Sequence, residues 1–132
     1  MTTKRLDSEV GKIEYDELVF SCDPTPKKAP VTILSGQGKL KRGTVLAVNA
    51  DNKMVILGTD NGQADDKKVV FPADCILAED VDATSADEVA MAYVVLHANK
   101  NALILKTSYT MTANDVATLR EKGILLSNKI AV

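Results

Sequence analysis

Short runs of aliphatic and β-branched residues, several of them ended by glycine, proline or asparagine, constrain this chain more than any other feature. Residues 31–34 stop at Gly36, and residues 36–38 (Gly-Gln-Gly) indicate a tight turn. Residues 43–48 and 53–57 flank a polar turn at 49–52, which predicts a hairpin. We therefore predict a body built mainly from β-strands.

Three later runs extend this pattern, at residues 75–78, 89–97 and 102–105. Residues 98–101 form a polar turn, so we expect the last two runs to pair as a hairpin. Ser85 and Glu88 match a helical capping box, but β-rich residues follow at 93–95. We choose a strand from about Val89.

One helix is predicted, over residues 113–122. Thr112 can cap its start, Asp115 suits the positive end of the helix dipole, and Gly123 provides a left-handed stop. Residues 124–126 would form a final strand. The expected fold is mainly β with one short α-helix near the C-terminus.

Residues 1–30 differ from the β-rich body, residues 31–132, and we predict that they form a flexible N-terminal arm. Charge dominates residues 1–17, and residues 23–30 hold three of the four prolines, which indicates an extended linker. Between them lies a short run with strand character and no neighbour within the arm. It needs a partner, either the body or another chain. This candidate binding segment consists of Leu18, Val19, Phe20, Ser21 and Cys22.

Charge is balanced along the chain. Residues 1–66 carry 9 basic and 10 acidic side chains and residues 67–132 carry 7 and 8, so each half sums to −1. Nucleic-acid binding needs clustered Lys and Arg and aromatic stacking surfaces, whereas aromatic residues make up 4% of the chain and tryptophan is absent. We expect no direct nucleic-acid partner.

No stretch predicts membrane insertion or secretion. The longest uninterrupted apolar run, residues 89–96, is far shorter than the roughly 20 residues that a membrane-spanning helix needs. Acidic residues between positions 7 and 17 interrupt the apolar stretch that a signal peptide requires. We expect a protein made in the cytosol, with no membrane partner and two free thiols.

The sequence does not group residues for catalysis or metal binding. His97 is the single histidine and has no activated Ser or Cys nucleophile beside it. Cys22, Cys75 and His97 are too few and too scattered for structural zinc, and the acidic residues 79–82 lack the turn glycine of a calcium loop. We predict no enzyme, no cofactor and no metal, and we interpret Cys75 as a buried apolar residue.

A basic cluster precedes residues 43–48. In an extended chain Lys39 and Lys41 face one way, while Leu40 and Arg42 face the other. Two interpretations have equal weight: a contact for an acidic partner, or a charged strand edge that prevents unwanted pairing.

Four stretches, in the same order, resemble the head decoration proteins of tailed phages, the lambda-like family. They are GKLKRGTVL at 38–46, ADCILAEDVDA at 73–83, and residues 89–95 and 115–124. The resemblance implies a β-clip-like small barrel or sandwich with an extended N-terminal arm. It also implies a homotrimer that binds the major capsid protein at three-fold positions outside an expanded head. Such a protein is made in the host bacterial cytoplasm and stabilises the virion against internal DNA pressure.

Two other functions stay open from the residues alone. One is a small-ligand or sugar-binding β-clip module of a cellular pathway, suggested by the spacing of Leu40, Gly43 and Leu46, which would need a concave pocket with convergent polar groups. The other is a stand-alone oligomeric scaffold. The strand in the arm favours a decoration protein, because such a strand can complete a sheet edge on a partner.

Overall fold

The structure, a computed structural model, describes residues 18–22, 24–60, 70–107 and 109–127. The charged part of the predicted arm, residues 1–17, lies outside these ranges. The described elements are β1 (Val19–Ser21), β2 (Lys27–Ile33), β3 (Gly38–Leu40), β4 (Val45–Val48), β5 (Met54–Ile56), β6 (Ala73–Leu77), β7 (Val81–Ala83), β8 (Glu88–Asn99), α1 (Ala113–Lys122) and β9 (Ile124–Ser127). The prediction of a mainly β fold with one short helix near the C-terminus is confirmed.

Five strands close into a small barrel, in the order β8, β2, β5, β4, β6, with β6 returning to β8. Neighbouring strands are antiparallel except β2 and β5, which pair in parallel at Ile33 and Met54. All five strands contribute to one cluster of buried side chains, which therefore fills the interior. Its members on these strands are Ile33, Leu46, Met54, Cys75, Leu77, Ala90 and Ala92. The small alanines on β8 leave room for the larger side chains opposite, as a narrow barrel requires.

The two-stranded sheet of β3 and β7 packs into the same interior. Its strands pair antiparallel, with Lys39 opposite Asp82, while Leu40 and Ala83 join the interior cluster. The predicted Gly-Gln-Gly turn precedes β3, and Gly36 and Gly38 both have positive φ. Along β3, the exposed side chain of Lys39 is thus followed by the buried side chain of Leu40.

Alternate residues of the barrel wall face outward and form a second buried cluster beneath α1. This cluster is joined by the residue before β1 and by residues of α1 and β9. Its main members are Leu18, Val45, Ala47, Val55, Ile76, Leu96, Leu119 and Ile124. The wall is therefore apolar on both sides wherever the helix covers it.

The cap and the stop predicted for α1 are confirmed. The Thr112 side chain accepts a hydrogen bond from the Asp115 backbone N–H, and the Asp115 side chain accepts one from the Thr112 N–H. Gly123 ends the helix with φ 106°. On the helix, Leu119 is fully buried and Val116 half-buried, whereas Ala113 is exposed.

Tyr109 fastens the segment before α1 to the same cap. Its hydroxyl donates a hydrogen bond to Asp115 Oδ2. Burial, together with this hydrogen bond, raises the pKa of Tyr109 to about 12. The phenol therefore stays a donor throughout the neutral range, and Tyr109 is held against the helix.

The predicted hairpin at 43–57 is confirmed. β4 and β5 pair antiparallel across the turn, where Asn52 has φ 62° and Asn49 Oδ1 accepts hydrogen bonds from the N–H groups of Asp51 and Lys53. The choice of strand over helix at Val89 is also confirmed, since β8 spans this region.

The predicted hairpin between residues 89–96 and 102–105 is wrong. β2 and β6 flank the first part of β8 on opposite edges, and β1 and β9 flank its end. No edge of β8 remains for a returning strand. Residues Lys100–Ala102 form a 3₁₀ turn, and the Ile104 backbone bonds to Gly43 and Val45 instead.

β2 begins at Lys27, within the stretch predicted as a linker. Residues 27–30 are extended as expected, but they pair with β8. Pro30 is tolerated because β5 reaches β2 only at Ile33, so the ladder on that edge does not need the missing N–H of Pro30.

Gly123→Ala should destabilise the fold more than Gly36→Ala. Both glycines have positive φ, which costs an L-residue roughly 1–2 kcal/mol. A Cβ at Gly123 would lie 2.7 Å from the Val94 carbonyl oxygen, whereas one at Gly36 meets nothing within 4 Å. Urea unfolding of the two variants measures the difference, and equal losses in free energy would contradict this account of the helix end.

Candidate functional site

The candidate binding segment lies at the edge of the sheet around the end of β8. β1 pairs antiparallel with β8, with Val19 opposite Ala98 and Ser21 opposite His97. Leu18 is 1% exposed, and its carbonyl oxygen accepts a hydrogen bond from the Asn99 N–H. The sequence left two possible partners for this strand, the body of its own chain or another chain. In the structure it pairs with the body of its own chain.

The exposed part of β1 belongs to a strip that crosses three strands. Phe20 is 41% exposed, and its ring centroid lies 4.7 Å from that of His97. His97 Nε2 lies 2.7 Å from Ser127 Oγ, and Leu125, directly beside His97 on β9, is 37% exposed. We call Phe20, His97, Leu125 and Ser127 the terminal strip.

The terminal strip combines an apolar surface with a strand edge that no described strand covers. Among the described strands, β8 is the one that pairs with β1, so the outer edge of β1 faces no strand of the described chain. Cys22, at the end of the segment, is exposed. His97, interpreted as a structural residue, lies in β8 and links the strands nearest the two chain ends.

A second apolar surface lies on the outer face of β2 and β8. Val89 is 70% exposed and Met91 36%. Their cross-strand neighbours, Thr32 and Pro30, carry no charge. We call these four residues the outer patch. Contiguous exposed apolar side chains on a strand make this face a candidate contact surface.

The outer patch ends at Tyr93, which is nearly buried between two cations. Lys28 Nζ lies 5.9 Å and Arg42 Cζ 5.3 Å from the ring centroid. Arg42 Nη1 also donates to the Tyr93 hydroxyl at 2.6 Å, and the Arg42 N–H donates to Asp80 Oδ1. Arg42 thus fastens the β3–β4 loop to β8, on the side away from Lys39 and Lys41.

Those two lysines border an open cleft of about 530 Å³. Its apolar lining comes from Leu40, Ile56, Ile104 and Leu105, and Lys106 supplies a third ammonium group. We call this feature the lysine cleft. The described residues of its lining include no aromatic side chain, so they offer the sugar-binding alternative no stacking surface.

A charged contact holds the turns at one end of the barrel. Lys53 Nζ lies 2.6 Å from Asp87 Oδ2, and Asp87 Oδ1 accepts a hydrogen bond from the Ser35 N–H. The hydrogen bond from Lys53, followed by that from Ser35, lowers the pKa of Asp87. The same contact raises the pKa of Lys53.

The remaining titratable candidates are separated in space. Cys75 is buried inside the barrel, where burial raises the pKa of its thiol. In the described ranges, no three His, Cys, Asp or Glu side chains stand together as they would around a metal ion. Within the same ranges, no helix is long and apolar enough to cross a membrane.

Sequence reasoning missed two parts of these surfaces. The outward direction of Val89 and Met91 could have been derived from strand alternation, since Ala90 and Ala92 are the small residues that a barrel interior favours. The place of Lys106 in the cleft could not be predicted from the sequence. Contacts between residues far apart in the chain bring it to the same cleft as Lys39 and Lys41.

A small closed barrel with two exposed apolar surfaces and an open cleft is typical of proteins that act through contacts on their exterior. Residues 9–124 match the family model of bacteriophage lambda head decoration protein D, and the chain belongs to that family. A comparison with curated proteins found no match. The family consists of structural components of the phage virion, so its membership assigns this chain a role in capsid decoration.

The Asp87 contact predicts a defined pH dependence of stability. The folded-state pKa of Asp87 is depressed, so its carboxylate stabilises the fold above the ordinary aspartate pKa. This contribution is lost as pH falls through the lowered value. Asp87→Asn should therefore lower the melting temperature at pH 7, and the difference from the wild type should vanish in acid.

Lys53→Met provides the matched background for this measurement. Without the ammonium group, adding Asp87→Asn should change the melting temperature less than it does in the wild type. A difference between Asp87→Asn and the wild type that stays constant from neutral pH to acid would contradict the assignment.

Proposed function

We propose that this chain is a cement protein that binds the outside of an expanded phage head at three-fold positions as a homotrimer. It holds neighbouring capsid subunits against the internal pressure of packaged DNA. The observation that carries the proposal is the family match over residues 9–124. The partners are the major capsid protein and two further copies of the chain, and the role needs neither a catalytic step nor a cofactor.

The candidate binding segment is the proposed contact with the shell. Leu18 is anchored in the second buried cluster, the one beneath α1. On its other side, β1 has an edge that no described strand pairs with. A strand of the capsid protein would add to this edge through backbone hydrogen bonds, while Phe20 fills an apolar pocket. Anchoring one side of β1 to β8 orders the strand before binding, which lowers the entropic cost of this contact.

Three such contacts on one trimer act together. Once one protomer is bound, the other two meet the shell at a high effective concentration. Weak single contacts then give a persistent attachment. This multivalency requires the copies to be held together by a surface other than the terminal strip.

The outer patch is the proposed surface between copies. It is apolar, uncharged and formed by two adjacent strands, and it lies on a different part of β8 from the terminal strip. Contact with the next copy would bury Met91 and also Val89, the most exposed large apolar side chain among the described residues. A ring of three repeats this contact until it closes.

Shell binding tests the role of the terminal strip. Phe20→Ser should weaken binding to expanded empty shells of the cognate phage by about tenfold or more, because burying a phenylalanine contributes roughly 1.5–3 kcal/mol per site. Removing residues 2–17 while retaining Leu18 should weaken binding further. Cosedimentation of the protein with the shells measures both effects.

Val70→Ser is the matched control, since Val70 is 37% exposed and lies outside the terminal strip and the outer patch. It should bind like the wild type. Undiminished binding by Phe20→Ser and by the shortened chain would refute the proposed contact, and failure of the wild type to bind would refute the cement function.

Assembly tests the outer patch separately. Val89→Asp places a charge in the proposed contact between copies and should convert the trimer into monomers without lowering the melting temperature of the monomer. Val70→Asp should stay trimeric. Sedimentation equilibrium gives the masses, and a trimer that survives Val89→Asp would show that the copies meet elsewhere.

A further inference from the structure

The lysine cleft is left unused by the terminal strip and the outer patch. It is bordered on one side by Lys39 and Lys41 and on the other by Lys106. All three side chains are exposed, and within the described ranges none of them forms an ion pair. Three ammonium groups around one concave surface attract a negatively charged partner.

Both walls of the cleft are fixed by hydrogen bonds. The Lys41 carbonyl oxygen accepts from the Thr44 hydroxyl at 2.7 Å and from the Thr44 N–H at 3.1 Å. Across the cleft, the Lys106 N–H donates to the Leu57 carbonyl oxygen at 3.1 Å. The Gln37 side chain also accepts from the Ile56 N–H at 3.0 Å. Because Leu57 and Thr44 are fully buried, the cleft is held by the barrel itself.

Asp82, on β3's partner strand, offsets part of the charge of Lys39: hydrogen bonds from Thr84, and after them the charge of Lys39, lower the pKa of Asp82. Asp82, opposite Lys39, accepts hydrogen bonds from the Thr84 hydroxyl at 2.6 Å and the Thr84 N–H at 3.1 Å. Asp80 accepts one from the Arg42 backbone at 2.9 Å. Both carboxylates line a neighbouring pocket together with Lys39 and Lys41, and neither is among the described residues that line the cleft, where Lys106 lies.

The lining distinguishes between classes of anionic partner. A single-stranded nucleic acid would use aromatic stacking as well as cations, and the described residues of the lining include no aromatic side chain. A compact free anion would leave the apolar lining exposed, including Ile104, which is 38% exposed. A peptide with both carboxylate and aliphatic side chains matches the lysines and the apolar lining together.

We propose that the lysine cleft binds an extended acidic segment of the major capsid protein, whose aliphatic side chains lie on Ile56, Ile104 and Leu105 and whose carboxylates meet Lys41 and Lys106. This inference rests on the proposed function and adds a second contact to it. The cleft volume of about 530 Å³ lies within the roughly 300–1,000 Å³ typical of ligand clefts.

A pair of charge-matched variants tests the cleft. Lys41→Gln/Lys106→Gln removes two cleft cations, and Lys27→Gln/Arg120→Gln removes two cations elsewhere, so both change the net charge from −2 to −4. The cleft variant should bind expanded shells about tenfold more weakly than the control variant at low salt. The gap should narrow as salt is added, because screening weakens exposed ionic contacts.

The outcomes separate this inference from the cement function. If the wild type binds shells and the two variants bind equally, the cleft inference is overturned and the cement function stands. If the wild type does not bind, both fail. Thermal unfolding of the variants verifies that each is folded, and Ile104→Ser should weaken binding at high salt, where only the apolar contact remains.

A photocrosslinker identifies the occupant. Benzoylphenylalanine in place of Thr107, an exposed residue of the lining, should capture from purified filled heads a capsid-protein peptide that contains Asp or Glu. Capture of nucleic acid, of another copy of this chain or of a peptide without carboxylates would overturn the inference. So would loss of shell binding when inorganic phosphate replaces chloride at equal ionic strength.

Discussion

The pairing of β8 with four other strands is the constraint on which the rest of the structure depends. Its twelve residues join β2 and β6 in the barrel wall and β1 and β9 beyond it. A strand with neighbours on both edges cannot turn back on itself, and this excludes the local hairpin that its flanking residues suggest. The barrel, the base of the arm and the strand after the helix are thereby parts of one hydrogen-bonded sheet system.

Because side chains alternate along β8, some of its residues stabilise the barrel interior and others form the exposed surfaces. Ala90 and Ala92 face the interior, so the barrel can close, and Val89 and Met91 consequently face outward. Further along, Leu96 and Ala98 are buried, which turns His97 toward Phe20. One strand thus supplies both the proposed contact between copies and part of the proposed contact with the shell.

Local signals made about half of this structure predictable. The helix was readable because Thr112, Asp115 and Gly123 act within a few residues of one another, and the hairpin at 43–57 because its turn lies in Asn and Asp. The closure of the barrel was not readable, because the pairing of β2 with β8 joins residues about sixty positions apart. The same limit applies to the site: β1 was predicted from its own residues, whereas the meeting of Lys106 with Lys39 and Lys41 depends on Ile104 bonding to Gly43 and Val45.

The contact between β2 and β5 gives the barrel an uneven mechanical strength. Every other neighbouring pair in the wall shares at least two residue positions, whereas these strands meet in parallel at Ile33 and Met54. A tensile force applied through the N-terminal segment does not act on this weak seam first. It acts first on the short pairing of β1 with β8 and then on the longer antiparallel ladder of β2 with β8, which shares the load among more hydrogen bonds.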